Sequence, residues 1–253
     1  ILPMLPDDNL IPGINLTPYS IWLATVVVSG ISYLSYLLKR YVFRESGILV
    51  SGIVGGLYSS TATISVLARK SRKVSAQEAP EYVAVMLLAV SMMFLRFLIL
   101  IGIFSIGALT AIYPYLLIMS AVAAGTAWFL HSRWKRPAMS ETVDEDEDGS
   151  NPLEFKVALI FAVLFVVFTI ATHYTLIYAG EGGLTLLSFV SGFSDITPFI
   201  LNLLQGTGNV PVSLITACSM QAIVSNIAVN MCYALFFSGK KSPLRSWVLR
   251  GFG

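Results

Sequence analysis

The stretch GGLYSSTAT, residues 55–63, decides how the rest of this chain is read. Two adjacent glycines are followed by four hydroxyl residues in five positions, Ser59, Ser60, Thr61 and Thr63, inside an apolar run over residues 47–68. That run is one of seven, at about 18–38, 47–68, 82–106, 109–131, 152–178, 183–205 and 211–238. A helix needs roughly 20 apolar residues to cross a hydrocarbon core of about 30 Å, and the runs have that length. Composition agrees, since 56% of the 253 residues are hydrophobic and only 12% charged, against roughly 25% charged in soluble proteins. The fold class is therefore an all-α polytopic membrane protein, with residues 1–253 a single transmembrane domain. Small polar residues at such depth have two readings. They mediate close helix packing, or they mark non-helical backbone, which the membrane tolerates only where protein or a water-filled cavity satisfies it.

A second stretch bears on the choice. SGFSDITPF, residues 191–199, aligns with GGLYSSTAT, and NPLEFKVALIFA, residues 151–162, aligns with TPYSIWLATVVV, residues 17–28, at offsets of 136 and 134 positions. On that register Gly56 matches Gly192, Ser59 matches Asp195 and Thr61 matches Thr197. Each half reads helix, Gly-rich polar segment, helix: repeat 1 over residues 17–106 and repeat 2 over residues 151–238. A connecting helix at 109–131 and an acidic linker at 132–150, carrying the run Asp144–Asp148, join them.

Charge placement tests the topology, because Lys and Arg near membrane ends favour the cytoplasm. Clusters occur at Lys39, Arg40 and Arg44; at Arg69, Lys70, Arg72 and Lys73; at Arg133, Lys135 and Arg136; and at Lys240, Lys241 and Arg245. Seven full spans would put strong positive clusters outside. If 47–68 and 183–205 each enter and leave on one side, every cluster becomes cytoplasmic, with the N-terminus outside and the C-terminus and linker inside. The expectation is two inverted-topology repeats of three elements, each a helix, a broken or re-entrant segment and a helix. Such repeats are a recurring transporter design with the site at the repeat interface. Broken full spans are the competing reading, because 47–68 is long enough to cross.

Asp195 is the one carboxylate placed deep in the bundle, where an acid is costly and usually faces a pathway; equally, SDITP suits a helix-capping Asp. Arg96, in SMMFLRFLIL, is the one basic residue in mid-span. It neutralises Asp195, snorkels, holds an anion, or serves as a structural or gating partner. Gln221, Asn226 and Asn230 recur on one face of the last apolar run, as interhelical hydrogen-bonding groups or as part of a polar site. His173 falls near the outer end of its run and reads as interfacial. Cys218 and Cys232 lie fourteen positions apart, roughly 21 Å along a helix, too far for a disulfide. No nucleic-acid partner is expected, because the basic residues form no basic face. No HExxH, CxxC, GxSxG or P-loop pattern occurs, so the reading is non-enzymatic. The opening ILPMLPDDNL lacks an initiator Met and a signal peptide, and a piece of a longer protein is expected.

The segments ILPMLPDDNLIPGINLTPYSIWLATVVVSGISYLSYL, GGLYSSTATISVLARKSRK, MMFLR at 92–96, and NPLEFKVAL with LSFVSGFSDITPFILNL together resemble the C-terminal membrane domain of MgtC/SapB-family proteins, the domain of unknown function numbered 4010. The resemblance implies a prokaryotic inner-membrane protein, an upstream MgtC-like membrane region and an association with magnesium and other divalent cations. Ser59, Thr61, Thr63, Arg96, Asp195 and Asn226 match the family's pattern; Asn230 stands where a Lys is expected.

The resulting expectation is a transporter or channel-like permease for a small inorganic cation, divalent foremost, embedded in the lipid bilayer as a monomer or homo-oligomer and needing no cofactor beyond the bound divalent or monovalent ion. Asp195 supplies charge and is the one tentative metal ligand; Ser59, Ser60, Thr61, Thr63, Ser194 and Thr197 supply neutral oxygens, with Asn226 and Arg96 nearby. Hard cations favour such ligands. Anion transport through Arg96 and half-helix N-termini is the alternative, as is a regulatory membrane protein that binds another membrane protein and moves nothing.

Overall fold

The computed structural model describes residues 5, 6, 8–11, 13–42, 48–73, 75–133, 155–206, 210–239 and 242–252. Nearly all of the acidic linker, together with Arg44, Lys135, Arg136, Lys240 and Lys241, lies outside the described residues. The described elements are helices: α1 (Pro18–Leu37), α2 (Ile48–Lys70), α3 (Ala79–Phe104), α4 (Ile106–Arg133), α5 (Phe155–Ser191), α6 (Ile196–Gly206), α7 (Val212–Ser238) and α8 (Leu244–Phe252). A π turn, Leu38–Val42, extends α1, and a 3-10 turn, Ser71–Lys73, follows α2. Six of the helices, α1 to α5 and α7, are long and apolar enough to cross a membrane.

Helix starts follow local chemistry. Thr17 and Ser20 cap α1 reciprocally, each backbone N–H donating to the other's hydroxyl at 3.2 and 3.1 Å, a capping box closed by Ser instead of Glu. Ser105 alone separates α3 from α4, and its hydroxyl accepts from the Ala108 N–H at 3.2 Å. The connecting helix thus begins at Ile106, not at the expected 109.

Two helices are interrupted. In α2, Ser59 leaves helical geometry (φ −157°, ψ 106°). A β-carbon at Gly55 would lie 2.6 Å from Thr63 Oγ1, although eight residues of continuous helix would separate the two by about 12 Å. The chain therefore folds back at Ser59. Three missing side chains permit it. Gly55 receives the second half of α2, a β-carbon at Gly56 would sit 2.5 Å from Ala89 Cα, and Gly52 lies against Val85, so Gly52 and Gly56 let α2 press onto α3 one turn apart.

In α5 the break is at Gly180 (φ 61°, ψ −151°), a conformation open almost only to glycine. This break falls between the runs expected at 152–178 and 183–205: residues 155–179 precede it, and the second run holds residues 183–191 of α5, a turn and the separate 11-residue α6. Helix α6 packs back along α5, with Phe199 edge-on to Phe168 at 5.5 Å. The buried Asn202 amide donates to Thr172 Oγ1 at 2.8 Å and to the Phe168 carbonyl at 3.3 Å.

The chain forms two compact units, one from residues 1–30, 98–114 and 152–227, the other from residues 31–97, 115–151 and 228–253. Their boundaries fall inside α1, α3, α4 and α7 and cut across the sequence repeats. The first unit contains α5, α6 and the break between them. The second contains all of α2 and most of α3, whose Tyr82, Val83, Val85, Met86, Phe94 and Phe97 are buried. There Ser91 and Ser120 join α3 to α4 through their hydroxyls at 2.9 Å. The end of α2 meets the end of α7: Arg72 Nε donates to the Phe237 carbonyl at 2.5 Å, and the Arg69 guanidinium lies 4.6 Å from the Phe237 ring centre. Helix α8 buries Leu244 and Val248 and lays Gly251 against Val83 and Leu87 of α3.

Because the atoms facing Gly56 are Ala89 backbone, they cannot rotate away. Gly56→Val is expected to destabilise the purified protein by about 1–3 kcal/mol or more, as overpacking does. Gly125→Ala, where a β-carbon meets nothing within 4 Å, is expected to unfold in detergent at or slightly above the wild-type temperature, because alanine is the better helix former.

Candidate functional site

A helix that ends inside a bilayer leaves four carbonyls at its C-terminus and four N–H groups at its N-terminus without helical partners. At the α2 break Ser59 serves the amide end, its Oγ accepting from the Ala62 N–H at 3.3 Å, an N-cap for residues 60–70. Thr63 Oγ1 donates to the Ser59 carbonyl at 2.9 Å. At the carbonyl end Arg96, reaching from α3, donates through Nη1 to the Tyr58 carbonyl at 2.8 Å. Ser60 is buried with its hydroxyl 3.2 Å from Met93 sulfur. Ser59 and Thr61 are half-buried, and Thr63 is buried.

The break between α5 and α6 has the same parts. Asp195 caps α6, with Oδ1 accepting from the Thr197 N–H at 2.9 Å. A tight turn satisfies the last carbonyls of α5: Gly192, Phe193 and Ser194 donate their N–H groups to Phe189, Val190 and Ser191 at 3.0–3.2 Å, and Ser194 Oγ donates to Ser191 at 3.1 Å. Two side chains of α7 complete it. Ser225 Oγ donates to the Phe189 carbonyl at 2.8 Å, and Asn226 Nδ2 donates to the Gly192 carbonyl at 3.1 Å. Gly192 has no room for a side chain, since Ser225 and the Asn226 backbone stand against it.

The aligned positions Ser59 and Asp195 are thus both N-caps of the half-helix that follows a break. The carbonyls before the two breaks, Tyr58 and Gly192, each accept from the helix that follows, by Arg96 in one case and Asn226 in the other. The difference is charge: Arg96 brings a cation to the carbonyl end of one break, and Asp195 brings an anion to the amide end of the other.

Ser59, Ser60, Thr61, Thr63 and Arg96 come together in one unit; Ser194, Asp195, Thr197 and Asn226 come together in the other. Asp195 differs from its expected enclosure, being exposed at the turn together with Phe193 and Ser194. Thr197 contributes its backbone N–H to the cap, and its side chain is buried. Among the described residues no three His, Cys, Asp or Glu side chains form a group that could hold a metal. Asp195 contributes one carboxylate at its break. Of the α7 amides, Asn226 and Asn230 are buried and Gln221 is half-buried. His173 packs edge-on against Tyr174 at 5.4 Å. Sequence reading did not find the Tyr58 and Gly192 carbonyls or Ser225, because a carbonyl has no residue signature; Arg96 and Asn226, each on the helix after its break, were its trace.

Residues 26–238 match the family described as Domain of unknown function (DUF4010). The chain belongs to this family. The matched range contains both breaks with Arg96, Asp195 and Asn226, so they belong to the DUF4010 region and not to a flanking addition. The match is to DUF4010 and not to MgtC/SapB. An "Uncharacterized protein" of Aquifex aeolicus (strain VF5) is 28% identical over 211 residues, covering 79% of this DUF4010 chain and 86% of the relative. No solved structure matches.

The caps separate structure from charge. Ser59→Ala removes an N-cap and is expected to cost about 1 kcal/mol of stability. Asp195→Asn keeps a side-chain oxygen for the Thr197 N–H, and Asn caps as well as Asp. It is expected to unfold within a few tenths of a kcal/mol of wild type, read from denaturant or thermal melts of the two proteins.

Proposed function

We propose that this DUF4010 chain is a membrane transporter or channel-like permease for a small inorganic cation, with a partly hydrated divalent ion as the first substrate class. The observation that carries the reading is the pair of capped helix breaks, each preceded and followed by 11 helical residues (48–58 and 60–70 of α2; 181–191 of α5 and Ile196–Gly206). Eleven residues reach about 16 Å, half of a hydrocarbon core, so each pair is a re-entrant hairpin. With α1 and α3 flanking the first hairpin, and the start of α5 and α7 flanking the second, the chain holds two inverted repeats joined by α4. Interrupted helices of this kind bring backbone and side-chain oxygens to membrane depth and are a common basis for ion sites.

The membrane orientation has N-terminus outside and C-terminus cytoplasmic, in a prokaryotic inner membrane. Support comes from the basic residues: Arg40, Arg69, Lys70, Arg72, Arg133, Arg245 and Arg250 all belong to one unit, and the contact of Arg69 and Arg72 with Phe237 puts the ends of α2 and α7 at one level. Four crossings, α3, α4, α5 and α7, join those two ends when 183–205 returns to its own side; a full span there would make five and separate them. Magnesium is the first cation to try, because it is a hard divalent ion that keeps several of its waters when bound. Asp195 is the ion's charged ligand, with the Ser194 hydroxyl beside it. The hydroxyls of Ser59, Ser60, Thr61 and Thr63 line the other break. Anion transport is the weaker reading, because the Arg96 guanidinium is engaged on a carbonyl.

The test is uptake into proteoliposomes of the full chain, with Mg2+, Co2+, Na+ and K+ measured separately. Wild type is expected to move at least one of them, and Asp195→Asn to lower that flux at least tenfold while leaving the fold intact. Undiminished flux in Asp195→Asn overturns Asp195 as the ion ligand. No cation flux, with a second membrane protein retained through purification, overturns transport in favour of a regulatory scaffold.

A further inference from the structure

The two breaks carry opposite charge, and the difference has a functional meaning. The C-terminal end of a helix presents carbonyl oxygens and about half a negative charge, so it attracts cations. Half-helices of this kind commonly coordinate transported cations with their carbonyl ends. At the α2 break that place is filled by the protein's own guanidinium: Arg96 Nη1 lies 2.8 Å from the Tyr58 carbonyl. Arg stays protonated under all physiological conditions, so this charge is permanent. Before the break in the other unit, the Gly192 carbonyl receives the neutral amide of Asn226, and the next residues add the exposed Ser194 and Asp195.

We infer that Arg96 is a tethered cation that occupies the carbonyl end of the α2 break and bars a free cation from it, so that of the two breaks only the one at Asp195 binds the transported ion. The inference deepens the cation-transport reading and rests on it. Arg96 is a specificity-determining and positioning residue: it satisfies the Tyr58 carbonyl as a neutral donor could, but it also sets the sign of the potential there. Fixed positive groups exclude cations in this way at other pores. Four hydroxyl residues lie within five positions of the same break, and hydroxyl oxygens are suitable cation ligands. Without the guanidinium, that break would contain the makings of a second cation site.

The experiment is a calorimetric titration of the full chain in lipid nanodiscs with Mg2+, and separately with Na+. Wild type is expected to bind one cation per chain, and Asp195→Asn none. Arg96→Gln, which keeps a donor for Tyr58 and removes the charge, is expected to raise the number to two, one of which survives in the Arg96→Gln/Asp195→Asn double variant. Arg96→Lys is expected to stay at one. Two cations per wild-type chain, binding that survives Asp195→Asn with Arg96 in place, or one cation per chain in folded Arg96→Gln would each overturn the inference. Should Arg96→Gln not fold, Arg96→His titrated at pH 8, where an ordinary imidazole is neutral, replaces it with the same two outcomes: two cations are expected, and one overturns the inference. Two sites in wild type leave cation transport standing and remove only the tethered cation; a wild-type chain that neither binds nor moves any cation removes both.

Discussion

Backbone hydrogen bonding in a medium without water is the constraint on which the rest depends. A helix interrupted at membrane depth exposes carbonyls on one side of the break and N–H groups on the other, and each left unsatisfied costs several kcal/mol. Among the described residues α2 is interrupted at Ser59, and α5 gives way to α6 at Asp195. Ser59 and Asp195 satisfy the amide ends, and Arg96 and Asn226, each from the next long helix, satisfy the carbonyl ends. The breaks are held open as built features, and polar groups are kept where lipid-facing sequence would have none.

Packing makes the same demand from another direction. A chain that doubles back at Ser59 must fit two half-helices against each other and against α3, and Gly52, Gly55 and Gly56 remove the three side chains that stand in the way. In the other unit Gly192 admits Ser225 and the Asn226 backbone at a four-residue turn, while Gly180 supplies the positive-φ conformation before residues 181–191. Once the backbone is so placed, the hydroxyls of Ser60 and Thr63 are buried with partners of their own. Ser59, Thr61, Ser194 and Asp195 keep exposure.

One capping position carries an acid and the equivalent one a hydroxyl. One carbonyl end carries a guanidinium and the equivalent one an amide. Neither difference is needed to end a helix, since Ser, Asn and Asp cap about equally well and an amide satisfies a carbonyl as a guanidinium does. Charge is the part that helix termination leaves unexplained, and it is the part on which a cation-handling function rests.

The sequence by itself determined the membrane class, because apolar runs of spanning length and scarce charge admit little else. It also determined the internal register, since matching Ser59 with Asp195 requires only that glycines and small polar residues recur at one offset. Where each break falls, and what satisfies it, was decided by the tertiary structure. Glycines and small polar residues mark 47–68 and 183–205 as interrupted, but they do not say which residues leave the helix: Ser59 in one, and the turn from Gly192 to Asp195 in the other. The partners of Arg96 and Asn226 are carbonyl oxygens of Tyr58 and Gly192, which every residue type carries alike. Only the fold, by bringing α3 across α2 and α7 across the end of α5, singles those two out.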